Sequence, residues 1–265
     1  MQKVKEAFKP FIESTIEELE SDSRFLGLAI GGSWTRNEID EFSDLDLLII
    51  CDTGQVPDPI SMRSLAVRLG PLVSSFTGEH VGEPSLMICL YKLAELVHVD
   101  LKFSAVEELE CRPYDPVVVW ERGSIVSDVI ARTPPSPPSP NQQWIEDRFW
   151  TWVHYAALRL GRGEVFELVG FLSFIREQVL GPLALHSAGF PPYGVRKIER
   201  YLPEFARRLE QTVPTYDLES CYAATLATIE TYRELRNTAK PAVEPNSQAE
   251  TESVRFLKGV ATRLT

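Results

Sequence analysis

The chain has 265 residues, enough for one large domain or two modest ones, and 44% hydrophobic with 25% charged residues is typical of a soluble globular protein. Its formal net charge is −11, which disfavours tight binding of nucleic acid through a basic face. Residues 1–140 carry 23 acidic and 12 basic side chains, whereas residues 141–265 carry 15 of each, so the excess negative charge belongs to the first half.

The compartment is indicated by three negative features of the sequence. No apolar run approaches the roughly 20 residues of a membrane helix. The first residues, MQKVKEAFKPFIEST, are charged and lack the apolar core of a secretory signal. The four cysteines are scattered and form no CxxC pair: Cys51, Cys89, Cys111 and Cys221. We therefore expect a cytoplasmic protein with reduced thiols and no membrane contact.

The chain opens with a helix and two buried strands. Residues 11–20 have a helical pattern, which Pro10 would open in its first turn. Residues 25–30 (FLGLAI) are a short apolar run that ends in Gly31–Gly32, which indicates a buried strand entering a tight turn. Residues 45–51 (LDLLIIC) predict a second buried strand.

The remainder of the first half continues this alternation. Residues 61–76 (SMRSLAVRLGPLVSSF) predict a helix interrupted near Gly70–Pro71. Residues 85–91 (SLMICLY) and 95–103 (ELVHVDLKF) predict two strands that are close enough to form an antiparallel pair. Residues 116–126 (PVVVWERGSIV) add one last edge strand.

A proline-rich segment separates the two halves. Five of the seven residues 134–140 are proline, which excludes a sheet or helix interior and favours a stiff connector. After it, apolar residues recur at helical spacing as far as the end of the chain. We predict an α/β (α+β) domain with a small mixed sheet over residues 1–132, a linker over 133–140 and an all-α helical bundle over 141–265.

Two aspartates at the start of the second strand are the first candidate site residues. Side chains alternate along a strand, so Asp44 and Asp46 point one way while Leu45 and Leu47 point into the core. Two close carboxylates repel each other unless a cation lies between them. Carboxylate oxygens with water and substrate phosphate are the ligands that Mg²⁺ prefers, so the pair indicates a site for one or two Mg²⁺ ions.

A third carboxylate and a glycine turn complete the predicted site. Asp100 lies in a strand whose alternate residues are apolar, and a neighbouring strand can bring it beside the first two acids. At Gly31, Gly32 and Ser33, exposed N–H groups and a hydroxyl can hold phosphate oxygens. Together these parts predict a site that binds a nucleoside triphosphate and promotes attack on its α-phosphate.

The stretch GGSWTRNEIDEFSDLDL followed by HVDLKF resembles the signature of the DNA-polymerase-β-type nucleotidyltransferase superfamily. The plan as a whole resembles the aminoglycoside and lincosamide nucleotidyltransferases, which append a helical domain. The resemblance implies that Gly32 and Ser33 bind the triphosphate and that Asp44, Asp46 and Asp100 bind the metals. Asp100 could instead act as the base, because some relatives bind metal with only two acids.

Other polar residues are weaker candidates for contacts with substrate. Arg36 follows the turn closely and could contact a phosphate, although a surface arginine is the equal interpretation. Lys102 shares the face of Asp100. In the helical half, Asp147 could recognise a cationic acceptor or take its proton, and Arg148 and Lys197 could reach the triphosphate.

The predicted reaction transfers a nucleoside monophosphate, AMP from ATP before other nucleotides, to a hydroxyl of a small molecule. The resemblance suggests an antibiotic acceptor, and hence a role in resistance. Three alternatives remain: a protein-modifying enzyme of the antitoxin type, a template-independent RNA polymerase, and a non-catalytic nucleotide-binding regulator. The sequence does not separate a monomer from a homodimer.

Overall fold

The computed structural model describes residues 2–263, with side chains from residue 6 onward. The chain divides into two compact units, Met1–Pro137 and Pro138–Thr265. The division falls inside residues 133–140, the segment interpreted above as a linker. The architecture is an α/β unit with a small mixed sheet followed by an all-α unit, which confirms the predicted fold class.

The first unit is built on one six-stranded sheet. Its strands are β1 (Phe25–Ile30), β2 (Leu45–Cys51), β3 (Leu72–Gly78), β4 (Glu83–Lys92), β5 (Leu96–Ala105) and β6 (Val117–Glu121). The strand order is β3-β4-β5-β2-β1-β6. All neighbouring strands are antiparallel except β2 and β5, which run parallel. The predicted antiparallel pair (β4 and β5) and the predicted edge strand (β6) are thereby confirmed.

The two faces of this sheet are covered unequally. The helices of the unit are α1 (Gln2–Glu20), α2 (Gly32–Thr35), α3 (Pro59–Leu69) and α4 (Ile125–Arg132). Side chains of α1 and α3 pack on one face, against buried residues such as Leu47, Leu101 and Phe103. On the other face, α4 packs Val126 and Val129 against a smaller apolar cluster. Because strand side chains alternate, the half-buried residues Asp46, Asp100 and Lys102 belong to this second face.

Three local expectations were wrong. The helix expected over residues 61–76 ends at Leu69, and the segment after Pro71 forms β3, because its backbone pairs with β4. Pro10 lies inside α1 and does not open it. Phe8 and Phe11 are both buried on either side of that proline, and their packing offsets the hydrogen bond that proline removes. Residues 125–126, expected in the last strand, begin α4.

The second unit is helical. Its helices are α5 (Gln142–Gly161), α6 (Val165–Ile175), α7 (Gly181–Ser187), α8 (Ile198–Tyr201), α9 (Pro203–Glu210), α10 (Leu218–Asn237) and α11 (Ser247–Thr262), and a π-helical turn (Arg176–Leu180) joins α6 to α7. At the centre of its core, the rings of Phe149 and Tyr232 stack with centroids 3.7 Å apart. Trp150 packs edge-on against both of these rings.

One stretch of this unit is more apolar than the sequence analysis allowed. Val165–Ser187 is helical over 23 residues with a hydropathy of 1.4, which by length and composition alone is enough to cross a membrane. However, 56% of it is buried inside the protein. Leu168, Leu172 and Leu180 belong to the core of the helical unit. The stretch is therefore accounted for as interior helix.

A buried carboxylate ties three helices of this unit together. Glu146 on α5 is fully buried and accepts hydrogen bonds from the Trp150 indole (2.9 Å), the Tyr232 hydroxyl (2.6 Å) and the Asn246 backbone N–H (2.9 Å). Its Oε1 also lies 3.3 Å from Nη1 of Arg236. Burial alone would raise the pKa of Glu146, but the hydrogen bonds from Tyr232, Trp150 and the Asn246 backbone, together with the charge of Arg236, outweigh it, and the pKa is lowered.

We expect Glu146→Gln to lower the free energy of unfolding by about 1–3 kcal/mol, because the amide has one acceptor oxygen for three buried donors, while Arg236 keeps Glu250 at 2.7 Å. Urea unfolding of the purified protein measures this. A matched control is Glu252→Gln, since Glu252 forms an exposed ion pair with Arg255 on α11. That change should cost less than about 1 kcal/mol. Equal losses in the two variants would contradict the role given to Glu146.

The stabilising contribution of Glu146 depends on pH, and the direction of the dependence follows from its pKa. Because the pKa of Glu146 is lowered in the folded protein, its contribution to stability is present above the ordinary carboxyl pKa. The contribution is lost as pH falls through the lowered value. The difference in stability between the native chain and Glu146→Gln should therefore shrink on acidification.

Candidate active site

Asp46 and Asp100 lie side by side on the second face of the sheet. They are register partners in the parallel pair β2–β5, so their side chains emerge from the same face on adjacent strands. Both are partly exposed, whereas the alternate residues Leu45, Leu47 and Leu101 are buried on the opposite face. The strand alternation inferred from the sequence therefore brings these two acids together. Asp44 is half-buried and lies directly before β2, two residues from Asp46.

The glycine turn at the end of β1 is packed against Asp46. The backbone N–H of Gly31 donates to the carbonyl oxygen of Asp46 over 2.9 Å. Gly32 has a φ of +57°, a left-handed conformation that favours glycine. A β-carbon at Gly32 would lie 1.7 Å from Oδ2 of Asp46, which is far inside van der Waals contact. The carboxylate and the turn therefore occupy neighbouring space only because residue 32 has no side chain.

The turn itself is held in place by its own short helix. Trp34 of α2 packs against the main core of the unit, and Ser33 is only 9% exposed. The hydroxyl of Thr35 donates to the carbonyl of Gly32 over 3.0 Å, and the N–H of Glu38 donates to the carbonyl of Ser33 over 2.9 Å. These contacts fix the backbone of the turn beside Asp46.

Two basic residues lie on the same face as Asp100. Nε2 of His98 is 2.8 Å from Oδ1 of Asp100, within hydrogen-bond distance. Lys102 forms an ion pair with Glu83 at the start of β4, and burial lowers the pKa of the Lys102 ammonium. Sequence reasoning missed Glu83, because it lies 19 residues before Lys102 and only the folded structure brings the two side chains together. The pairing of β4 with β5 places Lys102 on the same face of the sheet as Asp100, as the sequence predicted.

The donor chemistry of the Asp46–Asp100 pair suits a hard divalent cation such as Mg²⁺. Two carboxylates on one face supply the oxygens it prefers, and the space left by the missing β-carbon of Gly32 adjoins one of them. Within residues 2–263, no three His, Cys, Asp or Glu side chains form a group that could hold a metal ion. The predicted three-acid metal site therefore stays a prediction; the register places Asp46 and Asp100 side by side, and Asp44 lies two residues before Asp46.

The remaining predicted residues lie elsewhere. Arg36 ends α2 and forms an exposed ion pair with Glu38, with Nε 3.3 Å from Oε2. Asp147 accepts a hydrogen bond from Gln143, and the guanidinium of Arg148 lies 4.1 Å from the centroid of the Trp144 ring. Lys197 precedes α8 in a left-handed conformation, with a φ of 59°. The last three belong to the helical unit, and their roles toward a substrate stay predictions.

No protein-family model matches this chain, and no curated protein matches it. Among solved structures, an aminoglycoside 6-adenyltransferase from Bacillus subtilis aligns over 94% of this chain and 97% of its own, with 13% identity and a TM-score of 0.44. A nucleotidyltransferase-like protein from Exiguobacterium sibiricum 255-15 aligns over 89% of this chain and 76% of its own, with 10% identity and a TM-score of 0.42. The likeness is one of fold, and it assigns no activity, acceptor or metal to this chain.

The contact between Gly32 and Asp46 makes a direct prediction. Gly32→Ala should lower the free energy of unfolding by about 1–2 kcal/mol, because alanine is strained at a positive φ and its β-carbon displaces the Asp46 carboxylate. Gly31→Ala is the matched control: its φ is −104°, and its β-carbon would meet nothing closer than 3.7 Å. Urea unfolding of both variants measures the difference. Equal stability of the two would show that the contact does not constrain residue 32.

Proposed function

We propose that this chain is a nucleotidyltransferase that moves a nucleoside monophosphate from a nucleoside triphosphate to a hydroxyl of a small molecule. One observation carries the proposal: Asp46 packs against the glycine turn on one side and is the register partner of Asp100 on the other. A turn with backbone N–H groups suits the phosphates, and the acids beside it suit the cation that accompanies them.

The proposed reaction is an in-line displacement at the α-phosphorus. The acceptor hydroxyl loses its proton and its oxygen forms a bond to the α-phosphorus, while the bond to the bridging α–β oxygen breaks and pyrophosphate leaves. Asp100 accepts this proton if Asp44 and Asp46 alone hold the cation, and water accepts it if Asp100 is itself a ligand of the cation. Gly32 and Ser33 hold the triphosphate through backbone N–H groups and a hydroxyl, and Gly31 positions them, because its own N–H is bonded to the Asp46 carbonyl oxygen. Orienting the two reactants in this way supplies a large part of the catalysis.

Mg²⁺, held by Asp46 and Asp100 with Asp44 as the further proposed ligand, would neutralise charge on the α-phosphate and the leaving pyrophosphate. The acidity of the chain supports a need for such a cation. All of the net charge of −11 arises from residues 1–140, and this surplus would otherwise repel a triphosphate.

ATP is the nucleotide we propose first, and a small molecule in the cytoplasm is the acceptor class. An antibiotic acceptor would make the protein a resistance enzyme. The acidic composition argues against an RNA acceptor. A protein acceptor and a non-catalytic nucleotide-binding role are the competing functions that the assay below separates.

We expect purified protein with Mg²⁺ and ATP labelled at the α-phosphate to transfer label to a small molecule from an acceptor panel or a bacterial lysate. Asp46→Asn and Asp100→Asn should each reduce the transfer about 100-fold or more, because each removes a carboxylate from the pair. Asp52→Asn is the matched control, since Asp52 is an exposed acid directly after the other end of β2. It should transfer at the native rate.

Other outcomes decide between the competing functions. Label on a protein band would favour the protein-modifying enzyme. ATP binding without any transfer would favour the non-catalytic regulator. Transfer that persists in the double variant, with both Asp46→Asn and Asp100→Asn, would show that the active site has been placed wrongly. Removal of divalent cations by a chelator should abolish transfer, and added Mg²⁺ should restore it.

A further inference from the structure

Four apolar side chains lie on the same sheet face as the two acids. We call Phe76, Leu86, Ile88 and Leu90 the apolar strip. Phe76 on β3 is the register partner of Ile88 on β4, which in turn is the partner of Asp100 on β5. Leu86 and Leu90 flank Ile88 on the same face, two residues away on either side. A single row therefore runs across four strands, from Phe76 through Ile88 and Asp100 to Asp46.

The apolar strip is not accounted for by the hydrophobic cores. Among the described residues, none of its four side chains belongs to an apolar cluster of the protein or packs against one. Phe76 is 51% exposed, and its ring centroid lies 5.7 Å from that of the exposed His80. By contrast, the intervening residues Met87 and Cys89 are buried on the opposite face. Leu86, Ile88 and Leu90 are half-buried and Phe76 is exposed, and partly exposed apolar side chains that continue a polar site are typical of a binding surface.

The proposed reaction determines what reaches this strip. In an in-line displacement the attacking hydroxyl and the leaving pyrophosphate lie on opposite sides of the α-phosphorus. The glycine turn lies beyond Asp46, on the side of β1, so a triphosphate held by the turn leaves the side of β5, β4 and β3 for the acceptor. Adjacent strands are about 4.8 Å apart, so Phe76 lies about 10 Å from Asp100. That span fits a molecule with a ring over the strip and a hydroxyl beside Asp100.

The charges around the apolar strip bear on the chemistry of the acceptor. Its charged register neighbours on β5 are Lys102, which is paired with Glu83, and Asp100, which lies within hydrogen-bond distance of His98. Asp100 and Glu83 already face His98 and Lys102, so a polycationic sugar would gain less beside the strip than from the surplus acids elsewhere in residues 1–140. An apolar ring would gain from Phe76 and the aliphatic side chains beside it.

We propose that the apolar strip is the acceptor subsite and that it selects a neutral, hydroxyl-bearing molecule with an aromatic or other apolar ring over a polycationic amino sugar. This inference rests on the proposed nucleotidyl transfer, because the direction of approach comes from that reaction. It narrows the acceptor class and assigns a role to β3 and β4.

The test observes the methyl group of Ile88 by NMR in the full chain, with isoleucine methyls isotope-labelled and the Ile88 resonance assigned through Ile88→Val. The protein is saturated with Mg²⁺ and α,β-methylene-ATP and then titrated with para-nitrophenyl β-glucoside or with kanamycin. We expect the glucoside to shift the Ile88 signal and kanamycin to leave it unchanged. An unmoved Ile88 signal with the glucoside, or an equal shift with kanamycin, would overturn the proposal.

Variants at Phe76 test the strip independently. Phe76→Ala should weaken glucoside binding about 3- to 10-fold, and Phe76→Trp should keep it within about 2-fold, because an aromatic ring is retained. Ile60→Ala is the control, since Ile60 is an 83% exposed apolar residue on α3, which packs on the opposite face. It should bind as the native chain does. Equal weakening by Phe76→Ala and Ile60→Ala would contradict the subsite.

The two proposals fail in different ways. If label transfer depends on Asp46 but the Ile88 signal stays fixed, the acceptor subsite is wrong and the transferase stands. If no transfer is found but the glucoside shifts Ile88, the strip binds rings and the proposed reaction is wrong.

Discussion

The close approach of the Asp46 carboxylate to the backbone of Gly32 is the constraint on which the candidate site depends. A β-carbon at residue 32 would overlap the carboxylate where it lies and force it to move, and the left-handed backbone of residue 32 favours glycine independently. Since β1 and β2 are paired, the turn that follows one strand is delivered to the acid that begins the other. Parallel pairing with β5 then adds Asp100. Turn and acids are therefore parts of one rigid arrangement.

The two faces of the sheet have different roles: one carries the hydrophobic core, and the other carries the candidate site residues. One face is buried under α1 and α3 and carries the large apolar side chains of β2, β4 and β5. The other face is covered by α4 only over a smaller cluster around Ile50, which leaves half-buried acids and apolar side chains in one row. Alternation along each strand makes this division automatic, so changes on the second face need not disturb the core.

Much of this arrangement could be predicted from local pattern. The alternation around Asp46 and Asp100 placed both acids opposite the core, and the apolar runs located β1, β2, β4 and β5. The strand β3 escaped prediction because Val73 and Phe76 are both exposed and give no clear two-residue period. Strand order could not be predicted from local pattern either, because the row from Phe76 to Asp46 exists only through the pairing of four strands. The contact of Gly32 with Asp46 required coordinates, although two adjacent glycines signalled a special backbone.

The parallel pairing of β2 with β5 also has a consequence for how the protein is made. The chain between them, residues 52–95, contains α3, β3 and β4, and all of it must leave the ribosome before the two acids can meet. Contacts between strands so distant in sequence form slowly, because the intervening loop must close first. A nascent chain that ends before β5 holds the glycine turn but only part of the acid pair. The two acids of the candidate site are therefore paired only after β5 has been synthesised, when most of the first unit is complete.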